Sequence, residues 1–308
     1  MTGKPARVKW PTSRRGRVWL VSSALLVIVG VVAALAACSS PRPASSAPSR
    51  PASPAPSRPA SPAPSRPPNP AAHFHFATLP PGATLPSGAQ CARMVDAVPS
   101  PPARAADQPG NGTVGQRVGP GLFPRGDSPQ AALLAPLISG DFTGTTEQIL
   151  LWAACKWGIN QDVVFAQAAA ESGWRQTHLG DWGTDPAWCP PGHGLGADGV
   201  PGQCPQSYGI MQTKYRLWTT AWPGIDTSTA MNVDVAYAIW RSCFDGYEVW
   251  LQNSAPPHQP YHPGELWGCV GRWFAGGWYT PAAVQYINRV QQLLHEQVWE
   301  QPGFMPVG

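Results

Sequence analysis

Thr145-Thr146-Glu147-Gln148-Ile149-Leu150-Leu151-Trp152-Ala153-Ala154-Cys155-Lys156-Trp157-Gly158-Ile159-Asn160-Gln161-Asp162-Val163-Val164-Phe165-Ala166-Gln167-Ala168-Ala169-Ala170-Glu171-Ser172-Gly173 is the stretch whose reading decides the fold. Thr145 with Gln148 three residues on makes a capping box, and Ile149, Trp152, Ala153 and Lys156 follow at helical spacing until Gly158 can take the C′ position. Asn160 caps a second helix, Gln161 to about Ser172, which carries Val163, Val164, Ala166 and Ala168 to Ala170 and stops at Gly173. Downstream, Thr227 and Ser228 precede a helix over Ala230 to Phe244, closed by Asp245-Gly246. Another follows Pro263 at N1 and extends to about Trp273. The last follows Thr280-Pro281 to about Trp299, with Ala283, Val284, Ile287, Val290, Leu294 and Val298 on one face. No alternating strand pattern of useful length occurs after residue 144. The spacing predicts a mainly α domain over residues 141–300, with 301–308 as a tail.

Composition says that much of the chain lies outside that domain. Thirty-eight prolines, 32 glycines and 12% charged residues among 308 leave a folded part well short of the full length. Ten of the 21 Lys and Arg precede residue 67, and no Asp or Glu does. Residues 67–308 therefore hold 11 basic and 17 acidic residues, net −6, which argues against a basic nucleic-acid-binding domain. Thirteen of the 15 Trp fall between Trp152 and Trp299, placing a packed, ligand-binding structure in the C-terminal half.

The N-terminus reads as an address. Six cations and no acid occupy residues 1–17, and Val18 to Ala37 then run apolar for 20 residues, enough to span ~30 Å of hydrocarbon at ~1.5 Å per residue. The run ends Leu35-Ala36-Ala37-Cys38, the pattern of a lipoprotein signal in which Cys38 takes the lipid; a single uncleaved transmembrane helix is the alternative. Either way the chain after Cys38 is expected on the extracytoplasmic face of the membrane. Arg50 to Ser57 recurs unchanged as Arg58 to Ser65, with a looser copy at Arg42 to Ser49. Residues 39–70 are thus expected to be a disordered Pro-rich linker, reaching on the order of 100 Å if extended. Residues 71–140 read as an irregular extracytoplasmic arm, with one helical candidate at Ser87 to Val98 and a staple to the domain through Cys91.

Six further cysteines, Cys91, Cys155, Cys189, Cys204, Cys243 and Cys269, fit up to three disulfides in an oxidising compartment. Cys189 and Cys204 bracket one Pro/Gly-rich loop and form the expected local pair. A zinc site from Cys189, His193 and Cys204 competes with that pairing but lacks a fourth ligand at recognisable spacing. His73-Phe74-His75 reads as solvated tail. No metal and no cofactor is expected.

Glu171 is the only acid in Ala166-Gln167-Ala168-Ala169-Ala170-Glu171-Ser172-Gly173-Trp174. A carboxyl in the last turn of an apolar helix faces the negative end of the helix dipole and is desolvated, so both effects raise its pKa toward the range of a general acid. Taken alone, the segment also fits an ordinary solvent-facing Glu. Over residues 145 to 299, however, the chain resembles the soluble-lytic-transglycosylase family, whose lysozyme-like catalytic domain is related to goose-type lysozymes. Glu171-Ser172-Gly173-Trp174 matches its Glu-Ser motif, Gly209-Ile210-Met211-Gln212 its Gly-Leu-Met-Gln motif, Asn232 with Ala236-Tyr237 its Asn-containing helix, and Tyr286 its C-terminal Tyr-Val motif.

The resemblance implies a substrate groove for peptidoglycan glycan strands with Glu171 as catalytic acid. It also implies that the Gly209 to Gln212 motif lines the cleft and that the Tyr286 hydroxyl points at Glu171. Ser172, Tyr208, Gly209, Met211, Gln212, Asn232, Trp278 and Tyr286 are the expected substrate-binding residues, Tyr208 and Trp278 by stacking on pyranose rings. Two departures stand out. The loop Leu179 to Ser207 is longer than is usual in the family, and Trp273-Phe274 replaces the Tyr-Asn pair of its Ala-Tyr-Asn-x-Gly motif.

A second catalytic carboxylate is not placed by any motif, although Asp181, Asp185 and Asp198 lie in the long loop. One Glu suffices if the muramyl 6-hydroxyl is the nucleophile. The implied activity is that of a peptidoglycan lytic transglycosylase, cleaving between N-acetylmuramic acid and N-acetylglucosamine with formation of a 1,6-anhydro ring. The alternatives are a hydrolytic muramidase and a non-catalytic peptidoglycan-binding lipoprotein.

Overall fold

The computed structural model describes residues 75–119, 121–123 and 126–305. Cys38, the apolar run 18–37, the repeat linker and His73-Phe74 lie outside the described residues. Among the described residues no helix is long and apolar enough to cross a membrane.

The molecule is mainly helical. Helix α1 spans Gly88–Val95 and the short α2 spans Gln108–Asn111. Helices α3, Thr146–Trp157, and α4, Gln161–Ser172, follow in the order expected. The Thr145–Gln148 capping box and the Asn160 cap are both made, the latter to the backbone of Asp162 and Val163. Gly173 ends α4 at φ 62°, a left-handed conformation that glycine adopts without strain. Beyond it come a short α5, Gly224–Thr227, then α6, Thr229–Phe244, α7, Leu266–Ala275, and α8, Pro281–Glu296. Helix α7 starts later than Pro263 would have it, because Gly264 sits at φ 85° and Glu265 provides the cap. Helix α8 ends before Trp299 because Gln297 turns left-handed and a 3-10 turn over Val298–Glu300 follows.

Helix α4 lies at the centre. Val163 to Ala170 are buried without a polar face, as expected of a helix enclosed on all sides. It packs on α3 and α8, while α3 also meets α6 and α1. Trp152 and Trp240 on these helices are core residues.

Three two-residue strands form a small antiparallel sheet that periodicity could not reveal: β1, Leu179–Gly180, β2, Ser207–Tyr208, and β3, Thr213–Lys214, in the order β1-β2-β3. Two residues are too few to express an alternation. The long loop leaves the sheet at β1 and returns at β2, closed by Cys189–Cys204. With both sulfurs bridged, the zinc alternative falls, and among the described residues no group is arranged to hold a metal. His193 instead lies between Asp198, at 2.9 Å from Nδ1, and Asp226, at 3.4 Å from Nε2.

The segment before residue 141 is irregular but integral. Cys91 is joined to Cys155 on α3. The buried Asp107 accepts from the backbone N–H of Gln176 at 2.9 Å and of Thr177 at 3.2 Å, just after the end of α4. Arg241 on α6 donates to the carbonyls of Leu79 and Pro80. Residues 75–140 are thus tied to the helices that follow them by one disulfide and by hydrogen bonds. At the other end Phe304 lies edge-on to Trp174 at 5.3 Å, which holds the chain there at that residue.

The third bridge is Cys243–Cys269, and the three close chain separations of 64, 15 and 26 residues. Loop-closure entropy gives the Cys91–Cys155 bridge the largest effect, about 4 kcal/mol against about 3 kcal/mol for Cys189–Cys204. Replacing Cys91 and Cys155 together by Ala is expected to lower the denaturation midpoint more than replacing Cys189 and Cys204. Equal midpoints would show that neither loop is constrained through the unfolded chain.

Candidate active site

Glu171 stands in the last turn of α4, where the enclosed helix reaches the surface of a cleft of about 640 Å³. Asp181 follows β1, Gln212 and Lys214 come from the turn into and the end of β3, Arg272 to Gly276 from the end of α7, and Tyr286 and Arg289 from α8. Trp218 and Trp250 complete the aromatic walls.

Burial pushes the Glu171 carboxyl up to about 7. The opposing influences are a hydrogen bond from Tyr286, a weaker one from Trp273 and the charge of Arg289, while Asp181 adds to the rise. The Tyr286 hydroxyl donates to Glu171 Oε1, as the resemblance implied. Phe274 stacks on the Tyr286 ring at 4.7 Å with the planes 2° apart, so the altered Trp273-Phe274 pair supports the tyrosine from the cleft side. Asp181 behaves oppositely to Glu171. Ser207 Oγ donates to it at 2.7 Å and Lys214 Nζ lies 2.9 Å away; against its partial desolvation, these hold its carboxyl below the usual carboxylate range.

Of the expected site residues, Glu171, Gln212 and Tyr286 line the cleft. Gln212 sits at φ 50° and donates from Nε2 to the carbonyls of His178 and Gly209. Ser172, Gly209, Met211 and Asn232 do not line the cleft but are joined through backbone groups. Ser172 Oγ donates to the Ile210 carbonyl at 2.9 Å and accepts from Arg175 N–H. Asn232 is fully buried, donates from Nδ2 to Tyr208 O at 2.8 Å and accepts at Oδ1 from Met211 N–H at 2.9 Å. Gly209, at φ 76°, leaves no room for a side chain, since a Cβ there would fall 2.4 Å from Asn232 Nδ2. Met211 is fully buried. Together these residues tie the end of α4 to the turn that presents Gln212.

Tyr208 and Trp278 correct the expectation of sugar stacking. Both are fully buried: the Tyr208 hydroxyl donates to Pro205 O at 2.7 Å, and Trp278 Nε1 donates to Gln259 O at 3.1 Å. Neither lines the cleft, because each indole or phenol ring is enclosed and its polar tip already satisfied. Trp174 is likewise interior. The tryptophans that line the cleft are Trp218, Trp250 and Trp273, of which Trp218 is largely buried.

Lys214, Arg272 and Arg289 are cleft residues that no motif singled out. Arg289 was within reach of sequence reasoning, lying one helical turn beyond Tyr286 on the same face. Lys214 and Arg272 owe their position to the sheet and to the end of α7, which spacing alone does not relate. Comparison with family models, curated proteins and solved structures finds no match to this chain.

Proposed function

We propose that the protein is a peptidoglycan lytic transglycosylase with a lysozyme-like catalytic domain, anchored outside the cytoplasm by its N-terminus. The observation that carries the reading is the cleft carboxyl of Glu171, raised to about 7 and hydrogen-bonded by Tyr286. In the first step Glu171 donates its proton to the glycosidic oxygen between N-acetylmuramic acid and N-acetylglucosamine as the C1–O bond breaks. The resulting carboxylate then accepts the proton of the muramyl 6-hydroxyl while that oxygen bonds to C1. The proton balance closes on one residue, and the product is a 1,6-anhydro ring formed without water. A group that serves as acid and then base works best with its pKa near the working pH, which the burial of Glu171 supplies.

Mass spectrometry of products released from purified peptidoglycan tests the proposal. Products one water lighter than hydrolytic ones, lost in Glu171→Gln, are expected. A hydrolytic muramidase is the second reading, favoured by Asp181 sharing the cleft with Glu171. Its pairing with Lys214 makes Asp181 a weak base, which ranks this reading second. Water-added products, silenced by Asp181→Asn as fully as by Glu171→Gln, would establish it. A folded protein that binds glycan and releases nothing would be the non-catalytic wall-binding lipoprotein.

The pH profile offers a separate check. The first step needs Glu171 protonated, so kcat/KM is expected to be level below pH about 6 and to fall with unit slope above about 7. Tyr286 donates to the carboxylate and so favours its charged form. Tyr286→Phe should therefore move the descending limb to higher pH, and a limb that stays in place would remove Tyr286 from the control of Glu171.

A further inference from the structure

The folded part of the chain is acidic, yet three cations, Lys214, Arg272 and Arg289, line the cleft against two acids, Glu171 and Asp181. Asp181 is already engaged by Lys214 at 2.9 Å, and Glu171 is held toward its neutral form by burial. Two arginines remain. A cation-lined groove on an acidic body concentrates its field on an anionic ligand.

Arg272 is set rigidly. It stands in the last turn of α7 at 7% exposure, and its Nε donates to Glu248, which is fully buried. Its guanidinium carbon lies 5.6 Å from the centre of the Trp250 ring, and Trp250 Nε1 is itself fixed to Asp127 at 2.9 Å. The Glu248 N–H donates to the Tyr261 hydroxyl at 3.3 Å, and that hydroxyl donates to the Cys243 carbonyl at 2.7 Å. Cys243 is bridged to Cys269, one turn before Arg272, so both members of the ion pair hang from the same disulfide.

An ion pair buried this deeply adds little stability, because desolvation offsets its attraction. What it does achieve is orientation. One edge of the guanidinium is taken by Glu248; among the described residues this is the one hydrogen bond the guanidinium makes, and Arg272 belongs to the cleft lining. A planar fork with free donors is the geometry that receives a carboxylate. Arg289, exposed on α8, has no ion-pair partner among the described residues and adds a second positive charge beside Glu171.

We propose that Arg272, held by Glu248 and assisted by Arg289, binds a carboxylate carried by the muramyl residue, so that the cleft selects glycan strands by their acidic substituent. The inference rests on the glycan-cleaving reading of the cleft. The carboxylate can come from the free lactyl group of a peptide-free strand or from the end of a short stem peptide; the chemistry recognised is the same.

The test uses the full chain with Glu171→Gln to stop turnover, titrated by tryptophan fluorescence. The ligands are three matched tetrasaccharides of N-acetylglucosamine and N-acetylmuramic acid: with free lactyl carboxylates, with neutral lactyl amides, and with lactyl dipeptides ending in a carboxylate. At least one acid is expected to bind about ten- to a hundredfold more tightly than the amide. Which acid does so identifies the source. Arg272→Gln should erase the difference, and Arg272→Lys, which keeps a charge beside Glu248 but lacks the fork, should lose most of it. Should Arg272→Gln not fold, the ligand comparison on the parent and on the Lys variant decides. Equal affinity for acid and amide, or a preference that survives Arg272→Lys intact, overturns the proposal. Turnover of peptidoglycan without acid preference sinks this inference alone, whereas acid preference without turnover sinks the enzyme reading and leaves the subsite.

Discussion

Glu171→Gln is expected to lower product release from peptidoglycan by about 10²- to 10⁴-fold, the range that a positioned general acid contributes. Gln keeps the shape and can still accept from Tyr286, but it has no proton to give to the leaving oxygen and no negative charge with which to take one back. The same substitution should stabilise the fold at neutral pH. The folded carboxyl is raised from the ordinary 4.5 to about 7, chiefly by desolvation, so the native state binds its proton more tightly than the unfolded chain does. That contribution is complete below pH about 4.5 and is lost as pH rises through 7. Above pH 7 the Gln variant should therefore exceed the parent by on the order of 2 kcal/mol, and at pH 4 the two should match. Denaturant midpoints at the two pH values check the sign. A variant that is inactive and also less stable at pH 8 would mean that Glu171 holds the structure together and is not a strained functional group.

Asp234→Asn is expected to have the largest effect on stability. Asp234 is fully buried on α6, and its carboxylate gathers four donors from two places in the chain. Oδ2 accepts from the backbone N–H of Ser139 and Gly140, each at 2.9 Å, and from Lys156 Nζ at 2.6 Å; Oδ1 accepts from Trp157 Nε1 at 2.7 Å. The Asn side chain would turn an NH₂ toward donors on one side and leave the Lys156 ammonium without a counter-charge. Removing one member of a buried pair in this way costs about 3–5 kcal/mol. Lys156→Met should cost less, because Asp234 keeps three donors and the aliphatic stem still packs on Trp152, over whose ring Nζ lies at 4.5 Å. Urea unfolding of the two variants gives the comparison. Equal losses would assign the stability to the ion pair alone and not to the convergence of backbone donors on Asp234.

The helices were legible because their signals are local. Thr145 with Gln148, Asn160, Ser228, Thr280 and the glycines at 158 and 173 each satisfy or end a helix within a turn of their own position. Glu171 was legible for a related reason: a lone acid in an enclosed apolar helix is a local contradiction, and such contradictions collect at functional sites. Tyr208 and Trp278 were misplaced because an aromatic in a loop has the same sequence signature whether its ring faces a ligand or the core. The segment before residue 141 was read as an arm because its polar groups find their partners far along the chain, as Asp107 does at Gln176 and Thr177.

By itself, the sequence determined the mainly α character and the helix limits to within a few residues, and it pointed to the Cys189–Cys204 pair and singled out Glu171 as the candidate acid, all of which depend on neighbours a turn or a loop away. Tertiary structure alone decided that Asp181 is held by Lys214 and Ser207 and that Arg272 reaches the cleft from the end of α7, and it made the Tyr286–Glu171 contact that the resemblance implied. It also paired Cys91 with Cys155 and Cys243 with Cys269. The physical reason is that desolvation and charge pairing depend on separation in space, and a chain that folds α4 against α8 brings together residues 115 positions apart whose spacing carries no mark of that contact.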